Sequence, residues 1–139
     1  MKIAVSGCLL GENCKYNGGN NYSEKLAAFL EGHEVVSVCP ETLGGLPTPR
    51  KPAEIVGGVV TREDGVSVDE EFRKGAKIAL DIVLEEKAEL VILQSRSPSC
   101  GVHAIYDGTF SRKVIPGEGV FAKLLKDYGI RVMDIADLE

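Results

Sequence analysis

The chain has 139 residues and a net charge of -5, a size that suits one ordinary domain with its own core. The acidic balance argues against a nucleic-acid duplex as the main partner, because binding a phosphate backbone calls for a basic face. The sequence has no apolar run of membrane-spanning length and no signal-peptide pattern. We therefore expect a cytoplasmic protein with one domain over residues 1–139 and no membrane partner.

Three short apolar runs predict β-strands, and a cysteine follows each of them. The runs and their cysteines are residues 3–5 with Cys8, residues 35–38 with Cys39 and residues 90–93 with Cys100. If the strands are neighbours in one parallel sheet, the three thiols emerge at its carboxyl edge, where open α/β sheets build their sites. A fourth cysteine, Cys14, lies in the loop after the first run and can reach the same edge.

Helical patterns fill much of the chain between these runs. Ser23 is a suitable N-cap for a short helix that Gly32 ends. Asp69 is the expected N-cap of a longer helix, whose apolar residues keep helical spacing to Lys87. The last two elements are expected to be a helix over residues 120–128 and a strand over residues 130–135. Strands that alternate with helices predict an α/β fold, a Rossmann-like and mainly parallel sheet with helices on both faces.

The other segments predict loops and a small hairpin. Residues 40–52 hold four prolines and two adjacent glycines, so we expect an ordered loop over the sheet edge. Residues 55–61 and 66–68 are expected to pair as a hairpin around residues 63–65. Residues 94–119 are expected to form a long loop before the last helix.

The use of cysteine leaves several kinds of site open. In a reducing compartment, cysteines are more often ligands, redox groups or buried small residues than disulfides. Thiolates are soft ligands for iron-sulfur clusters or zinc, and the closely paired cysteines of a structural zinc site are missing from this sequence. Three cysteines around zinc also leave one position for water, so the spacing does not name the metal. Cys14 is a replacement ligand, a resolving thiol or a packed loop residue.

The residues around the cysteines form three sets of strings. They are Ser6-Gly7-Cys8-Leu9-Leu10-Gly11 with Cys14-Lys15-Tyr16-Asn17-Gly18, then Cys39-Pro40-Glu41 with Gly44-Gly45-Leu46-Pro47-Thr48-Pro49-Arg50, then Ser95-Arg96-Ser97-Pro98-Ser99-Cys100-Gly101 with Tyr106-Asp107-Gly108-Thr109-Phe110. In this order and over nearly the whole chain, they resemble the thiouracil desulfurase family. The chain departs from the family's pattern at Lys15 and Asn17, where arginine and aspartate are expected.

The resemblance implies an iron-sulfur enzyme. A 4Fe-4S cluster would be held by Cys8, Cys39 and Cys100, with the fourth iron open to the sulfur of a thiolated uracil base or nucleotide. The implied reaction is hydrolysis of 2-thiouracil or 4-thio-UMP to uracil or UMP and hydrogen sulfide, without net redox change. The alternatives are a thiol redox or zinc protein that uses Cys8 and Cys14, and a nucleotide-binding module without chemistry.

Desulfuration also needs a group that activates water and groups that hold the substrate. Glu41 is the candidate base, because it lies two residues after an implied ligand. Ser97 and Ser99 are candidates to orient the water or to donate to the ring, and Ser95 is a further candidate for substrate binding. Lys15 and Arg50 are candidate phosphate anchors if the substrate is a nucleotide.

Overall fold

The computed structural model describes residues 1–138, in which strands and helices alternate along much of the chain. The strands are β1 (Lys2–Ser6), β2 (Glu34–Val38), β3 (Ala53–Val56), β4 (Val59–Arg62), β5 (Leu90–Leu93), β6 (Ala104–Tyr106), β7 (Val114–Pro116) and β8 (Val132–Asp134). The helices are α1 (Glu24–Leu30), α2 (Pro40–Leu43), α3 (Asp69–Glu85) and α4 (Val120–Asp127). Short 3-10 turns follow β1 and β8, at Gly7–Leu10 and Ile135–Asp137.

The central sheet has four parallel strands in the order β2-β1-β5-β8. The three apolar runs that precede cysteines are thus neighbouring strands. Strand β1 lies between β2 and β5, and its residues Ile3, Ala4 and Val5 are fully buried, as expected for a strand covered on both faces. The predicted α/β fold with a mainly parallel sheet is confirmed.

Helices cover both faces of this sheet. On one face, α3 and α4 pack against alternate strand residues, and that cluster includes Ala4, Val91, Leu93, Ala79, Leu80 and Phe121. On the other face, α1 packs against the intervening residues, and that cluster includes Ile3, Val5, Ile92, Leu26 and Leu30. The two clusters follow from the period-two alternation of side chains along each strand. No helix formed within residues 1–138 has the length and apolar character that a membrane span requires.

Helix α2 corrects the prediction that residues 40–52 form only a loop. Pro40 occupies the first turn of this helix, where its fixed φ suits a helix and its missing N–H costs nothing. The helix lies directly on α3 through two glycines: a Cβ on Gly75 would overlap the carbonyl group of Pro40, and a Cβ on Gly44 would overlap that of Glu71. This contact fixes the position of the residues that follow β2.

The predicted hairpin around residues 63–65 is right in part. Thr61 pairs antiparallel with Ser67, and the N–H groups of Arg62 and Val68 donate to the carbonyl oxygens of Val66 and Val60, at 2.8 and 2.9 Å. Residues 55–61, however, are not one strand. Strands β3 and β4 pair with each other, and Gly57 and Gly58 connect them. Both glycines have positive φ, 56° and 82°, which is the conformation that a two-residue hairpin turn requires. The expected loop over residues 94–119 also contains a hairpin, formed by β6 and β7. Strand β7 is exposed along its length, so it lacks the alternating pattern that would have revealed it.

The predicted N-cap residue is right for α1 and wrong for α3. Ser23 caps α1 as expected, and its hydroxyl accepts a hydrogen bond of 3.1 Å from the N–H of Leu26. The prediction that Asp69 caps α3 is wrong, because Asp69 is the first helical residue and the N-cap position belongs to Val68. The carboxylate of Asp69 instead accepts a hydrogen bond of 3.0 Å from the N–H of Val60, which ties α3 to β4.

Candidate active site

A cavity of about 830 Å³ opens where β1, β2 and β5 end. All four cysteines line it. Cys8 lies in the turn after β1, Cys39 directly follows β2, and Cys100 lies in the segment after β5. The shared sheet edge therefore brings together the three thiols that the sequence pattern predicted to converge, and it places Cys14 beside them.

Cys100 is the most buried of the four thiols, with 5% exposure. The hydroxyl of Ser6 donates a hydrogen bond to its Sγ at 3.4 Å, and Oγ of Ser99 lies 3.5 Å from the same sulfur. The Ser6 hydroxyl also accepts the N–H of Gln94 at 3.1 Å, so it joins the ends of β1 and β5. Burial raises the pKa of Cys100 to about 12, although the two hydroxyl groups oppose that shift. The sulfur is thus provided with donors that stabilise negative charge once a cation replaces the proton.

Cys8 and Cys39 each have a polar neighbour of their own. The side-chain amide of Asn21 donates a hydrogen bond to Sγ of Cys8 at 3.6 Å. Sγ of Cys39 lies 3.2 Å from Oγ1 of Thr42, in the first turn of α2. Each of the three predicted ligands therefore has a hydroxyl or amide group within hydrogen-bonding distance of its sulfur.

Cys14 lies close to two of the predicted ligands. A hydrogen bond with Cys14 lowers the pKa of Cys8, and a hydrogen bond with Cys14, together with burial, raises the pKa of Cys39. The pKa of Cys14 itself is lowered by its contact with Cys39, but the contact with Cys8 and burial together raise it to about 11. Cys14 therefore belongs to the same thiol cluster as Cys8 and Cys39.

Both oxygens of Glu41 have a partner. Oε1 lies 3.0 Å from Nη2 of Arg50, and Oε2 accepts a hydrogen bond of 2.7 Å from the hydroxyl of Ser99. Arg50 also donates to the carbonyl oxygens of Cys14 and Pro47, at 2.9 and 3.1 Å. The carboxylate is thus held in one direction between the segment after β2 and the segment after β5.

The three predicted serines have different surroundings. Oγ of Ser97 accepts the N–H of Cys100 at 2.7 Å and lies 3.1 Å from Oγ of Ser99. Ser97, Ser99 and Glu41 therefore form a continuous polar row beside Cys100. The hydroxyl of Ser95 donates instead to the buried carboxylate of Asp134. This hydrogen bond holds Ser95 at the end of β8.

The two predicted phosphate anchors also differ. The side chain of Arg50 is only 8% exposed and is engaged by Glu41, so the structure gives it a supporting position. Lys15 is half-buried and lines the cavity. Among residues 1–138, Lys15 takes part in no ion pair.

Comparison with known proteins shows the family to which this chain belongs. The family model described as 2-thiouracil desulfurase matches residues 3–137. The chain belongs to the 2-thiouracil desulfurase family. A Bacillus subtilis (strain 168) relative, the uncharacterized protein YbbK, is 44% identical over 146 residues, which cover 98% of this chain and 97% of that protein. A solved structure described as the 4Fe-4S-dependent thiouracil desulfidase TudS is 42% identical, with a TM-score of 0.91, and the match covers 99% of this chain and 92% of that one.

The chemistry of the donors in this desulfurase-family site fits an iron-sulfur cluster. Thiolates are the ligands of such clusters, and hydrogen bonds to their sulfurs tune them. Within residues 1–138, no three His, Cys, Asp or Glu side chains are grouped closely enough to hold a single metal ion. A four-iron cluster does not need that grouping, because each thiolate binds a different iron.

Some residues of the desulfurase-family site were missed by sequence reasoning. Ser6 directly precedes the Gly7-Cys8 string, so its position was a usable signal. Asn21 is separated from Cys8 by a loop without regular spacing, and nothing in the pattern connects the two. Further aromatic and basic residues that line the cavity were missed as well, among them Phe72, Tyr106, Phe110, Arg96 and Arg112.

Proposed function

We propose that the protein is a 4Fe-4S-dependent desulfurase that hydrolyses the carbon-sulfur bond of a thiolated uracil base or nucleotide. The substrate, 2-thiouracil or 4-thio-UMP, reacts with water to give uracil or UMP and hydrogen sulfide. One observation carries the proposal: three thiols from three strand ends line one cavity with the Glu41–Ser99 pair. We propose further that residues 1–139 act as one desulfurase domain in the cytoplasm, where free thiols persist.

Cys8, Cys39 and Cys100 are the proposed ligands of the cluster. They come from the three neighbouring strand ends, and each sulfur has a polar neighbour that stabilises a thiolate. When bound, a cluster with three protein ligands supplies an iron with an open position, which can act as a Lewis acid on the sulfur of the substrate. Cys14, which contacts two of these ligands, is not needed for a three-thiolate site.

Glu41 is proposed to take a proton from the water that adds to the ring carbon and to return it to the departing sulfur. Its carboxylate is well directed for this task, because Arg50 and Ser99 hold one oxygen each. Oγ of Ser99 also lies 3.5 Å from the sulfur of Cys100, so the proposed base is held next to one of the proposed ligands. Such positioning is the main requirement for general base catalysis.

Ser97 is proposed to act beside Ser99 at the reacting carbon. Its hydroxyl accepts the N–H of Cys100 and therefore has its own hydrogen free to donate to Ser99, to water or to the ring. The Ser97–Ser99 pair forms the side of the cavity that borders Glu41. It can align the water while the carboxylate takes the proton.

The proposal is tested by anaerobic purification, reconstitution with iron and sulfide, and incubation with 2-thiouracil or 4-thio-UMP. We expect a brown protein with broad absorption at about 400 nm, as for clusters of this class, and release of sulfide with uracil or UMP. A Cys100→Ser variant taken through the same procedure is the matched control. Zinc in place of iron, or a thiol redox activity without sulfide release, would support the alternative of a thiol redox or zinc protein instead.

A further inference from the structure

One wall of the cavity takes no part in the proposed chemistry. It includes Tyr106, at the end of β6, and Phe110 and Arg112, in the turn between β6 and β7. The N–H groups of Gly108 and Phe110 both donate to Oε1 of Glu54, at 3.0 and 3.2 Å. Glu54 lies on β3, more than fifty positions earlier in the chain.

Glu54 is an unusual carboxylate. It is only 8% exposed, and within residues 1–138 it forms no ion pair. Burial of a charge is unfavourable unless hydrogen bonds compensate it. Here the two backbone N–H groups are the partners, so the carboxylate and the turn depend on each other.

The turn that Glu54 holds has a demanding backbone. Gly108 has a φ of 92°, and a Cβ there would lie 2.7 Å from the carbonyl oxygen of Ile55. Phe110 and Arg112 also have positive φ, 57° and 64°. Residues other than glycine and asparagine rarely adopt this backbone conformation. Such conformations persist when the surrounding structure enforces them, and they concentrate at functional sites.

This backbone places both side chains at the cavity. Phe110 and Arg112 line it, and they belong to the β6–β7 hairpin, whereas Cys8, Cys39 and Cys100 follow strands of the parallel sheet. Arg112 takes part in no ion pair within residues 1–138. An aromatic ring suits the face of a pyrimidine, and a guanidinium group suits a phosphate, which it can bind through two hydrogen bonds.

We propose that Glu54 is a positioning residue that holds residues 108–112 as the substrate-recognition wall. Phe110 packs against the pyrimidine ring, and Arg112 binds the phosphate of a nucleotide substrate. This inference rests on the proposed function, and it names the residues that recognise the ring and the phosphate. It also assigns the phosphate contact to a residue that the predicted anchors, Lys15 and Arg50, did not include.

The first test measures binding of UMP, the proposed product, to the reconstituted protein by calorimetry. The variant Arg112→Asn removes the guanidinium group and keeps a residue that tolerates positive φ. We expect a roughly 10- to 100-fold loss of affinity, the usual effect of losing a hydrogen-bonded charge. Lys113→Asn, at the exposed neighbouring position outside the cavity, is the matched control and should bind as the wild type. Unchanged affinity of Arg112→Asn, or no UMP binding by the wild type, overturns the phosphate contact.

The second test addresses Glu54. Glu54→Ala removes the acceptor of both N–H groups, whereas Glu54→Gln keeps a carbonyl oxygen that can accept them. We expect Glu54→Ala to raise KM for 4-thio-UMP about tenfold or more. Its iron content should equal that of the wild type, and its kcat should change less than its KM. Glu54→Gln should have a KM close to that of the wild type. Equal KM values for Glu54→Ala and the wild type would exclude the positioning role.

The two readouts separate this inference from the proposed function. UMP binding does not depend on desulfuration, so the wall is tested even if the wild type releases no sulfide. Conversely, sulfide release by the wild type together with unaltered binding by Arg112→Asn would retain the proposed function and reject the wall. If Glu54→Ala does not fold, Phe110→Asn is measured in its place. Wild-type KM values of Phe110→Asn for both 2-thiouracil and 4-thio-UMP would contradict the packing of Phe110 against the ring.

Discussion

The hydroxyl of Ser99 donates a hydrogen bond of 2.7 Å to Oε2 of Glu41. This bond joins the segment after β5 to helix α2, and its two ends lie beside Cys100 and two residues after Cys39. The candidate base and two of the candidate ligands are therefore held by the same contact. A substitution of either residue is expected to disturb the orientation of the carboxylate more than the positions of the thiols.

Glu41→Gln tests the base. The amide keeps the shape of the side chain but cannot accept the proton of water, so desulfuration should fall roughly 10²-fold or more while the cluster is retained. Sulfide release by the reconstituted variant is the measurement. Glu63→Gln, at another carboxylate that lines the cavity, is the control and should retain its activity. Release at the wild-type rate by Glu41→Gln would exclude Glu41 as the base and make Ser97 and Ser99 the next residues to test.

Cysteine variants test the ligand set. Alanine at position 8, 39 or 100 should abolish cluster incorporation, because two thiolates hold a four-iron core poorly. Cys14→Ala should keep the cluster, and it is the matched control because Cys14 contacts Cys8 and Cys39 within the same cavity. Iron content and visible absorption after anaerobic reconstitution provide the measurement. Loss of iron in Cys14→Ala, with retention in one of the other three variants, would assign the ligand role to Cys14.

Arg50→Ala tests the support of the base. The substitution removes the partner of Glu41 and a donor to two carbonyl oxygens, so the free energy of unfolding should fall by roughly 1.5–3 kcal/mol. Urea unfolding of the cluster-free protein measures it. Lys51→Ala is the control, because Lys51 is 56% exposed where it pairs with Asp64 and such a surface pair contributes about 0–1 kcal/mol. Equal losses in the two variants would show that Arg50 has no special supporting role.

Gly75→Ala tests the contact that places α2. In most helices this substitution stabilises the protein by roughly 0.5–1 kcal/mol, but here the added Cβ overlaps the carbonyl group of Pro40. We expect a loss of about 1–3 kcal/mol, as for other overpacked positions, and reduced desulfuration because Glu41 moves with α2. Lys74→Ala, on the exposed side of α3, should change stability little. A stabilised Gly75→Ala variant would disprove the close approach of the two helices.

Local patterns in the sequence determined much of the fold. The uninterrupted apolar runs before Cys8, Cys39 and Cys100 reflect strands buried on both faces, and neighbouring parallel strands place their carboxyl ends at one edge. The cap at Ser23 and the helical spacing of α3 are local features too. The strings around the cysteines indicated the family. These signals could be read because each depends on residues that are close in the chain.

Tertiary structure decided the contacts between distant segments. The pairing of Arg50 with Glu41, the clamp of Glu54 on Gly108 and Phe110, and the position of Cys14 beside two other thiols all depend on how loops pack across the sheet edge. A hydrogen bond across such a distance leaves no periodic trace in the sequence, because many side chains could supply the same donor or acceptor. The sequence by itself therefore predicted that Cys8, Cys39 and Cys100 meet, and the packed structure determined what holds Glu41 and residues 108–112 in place around them.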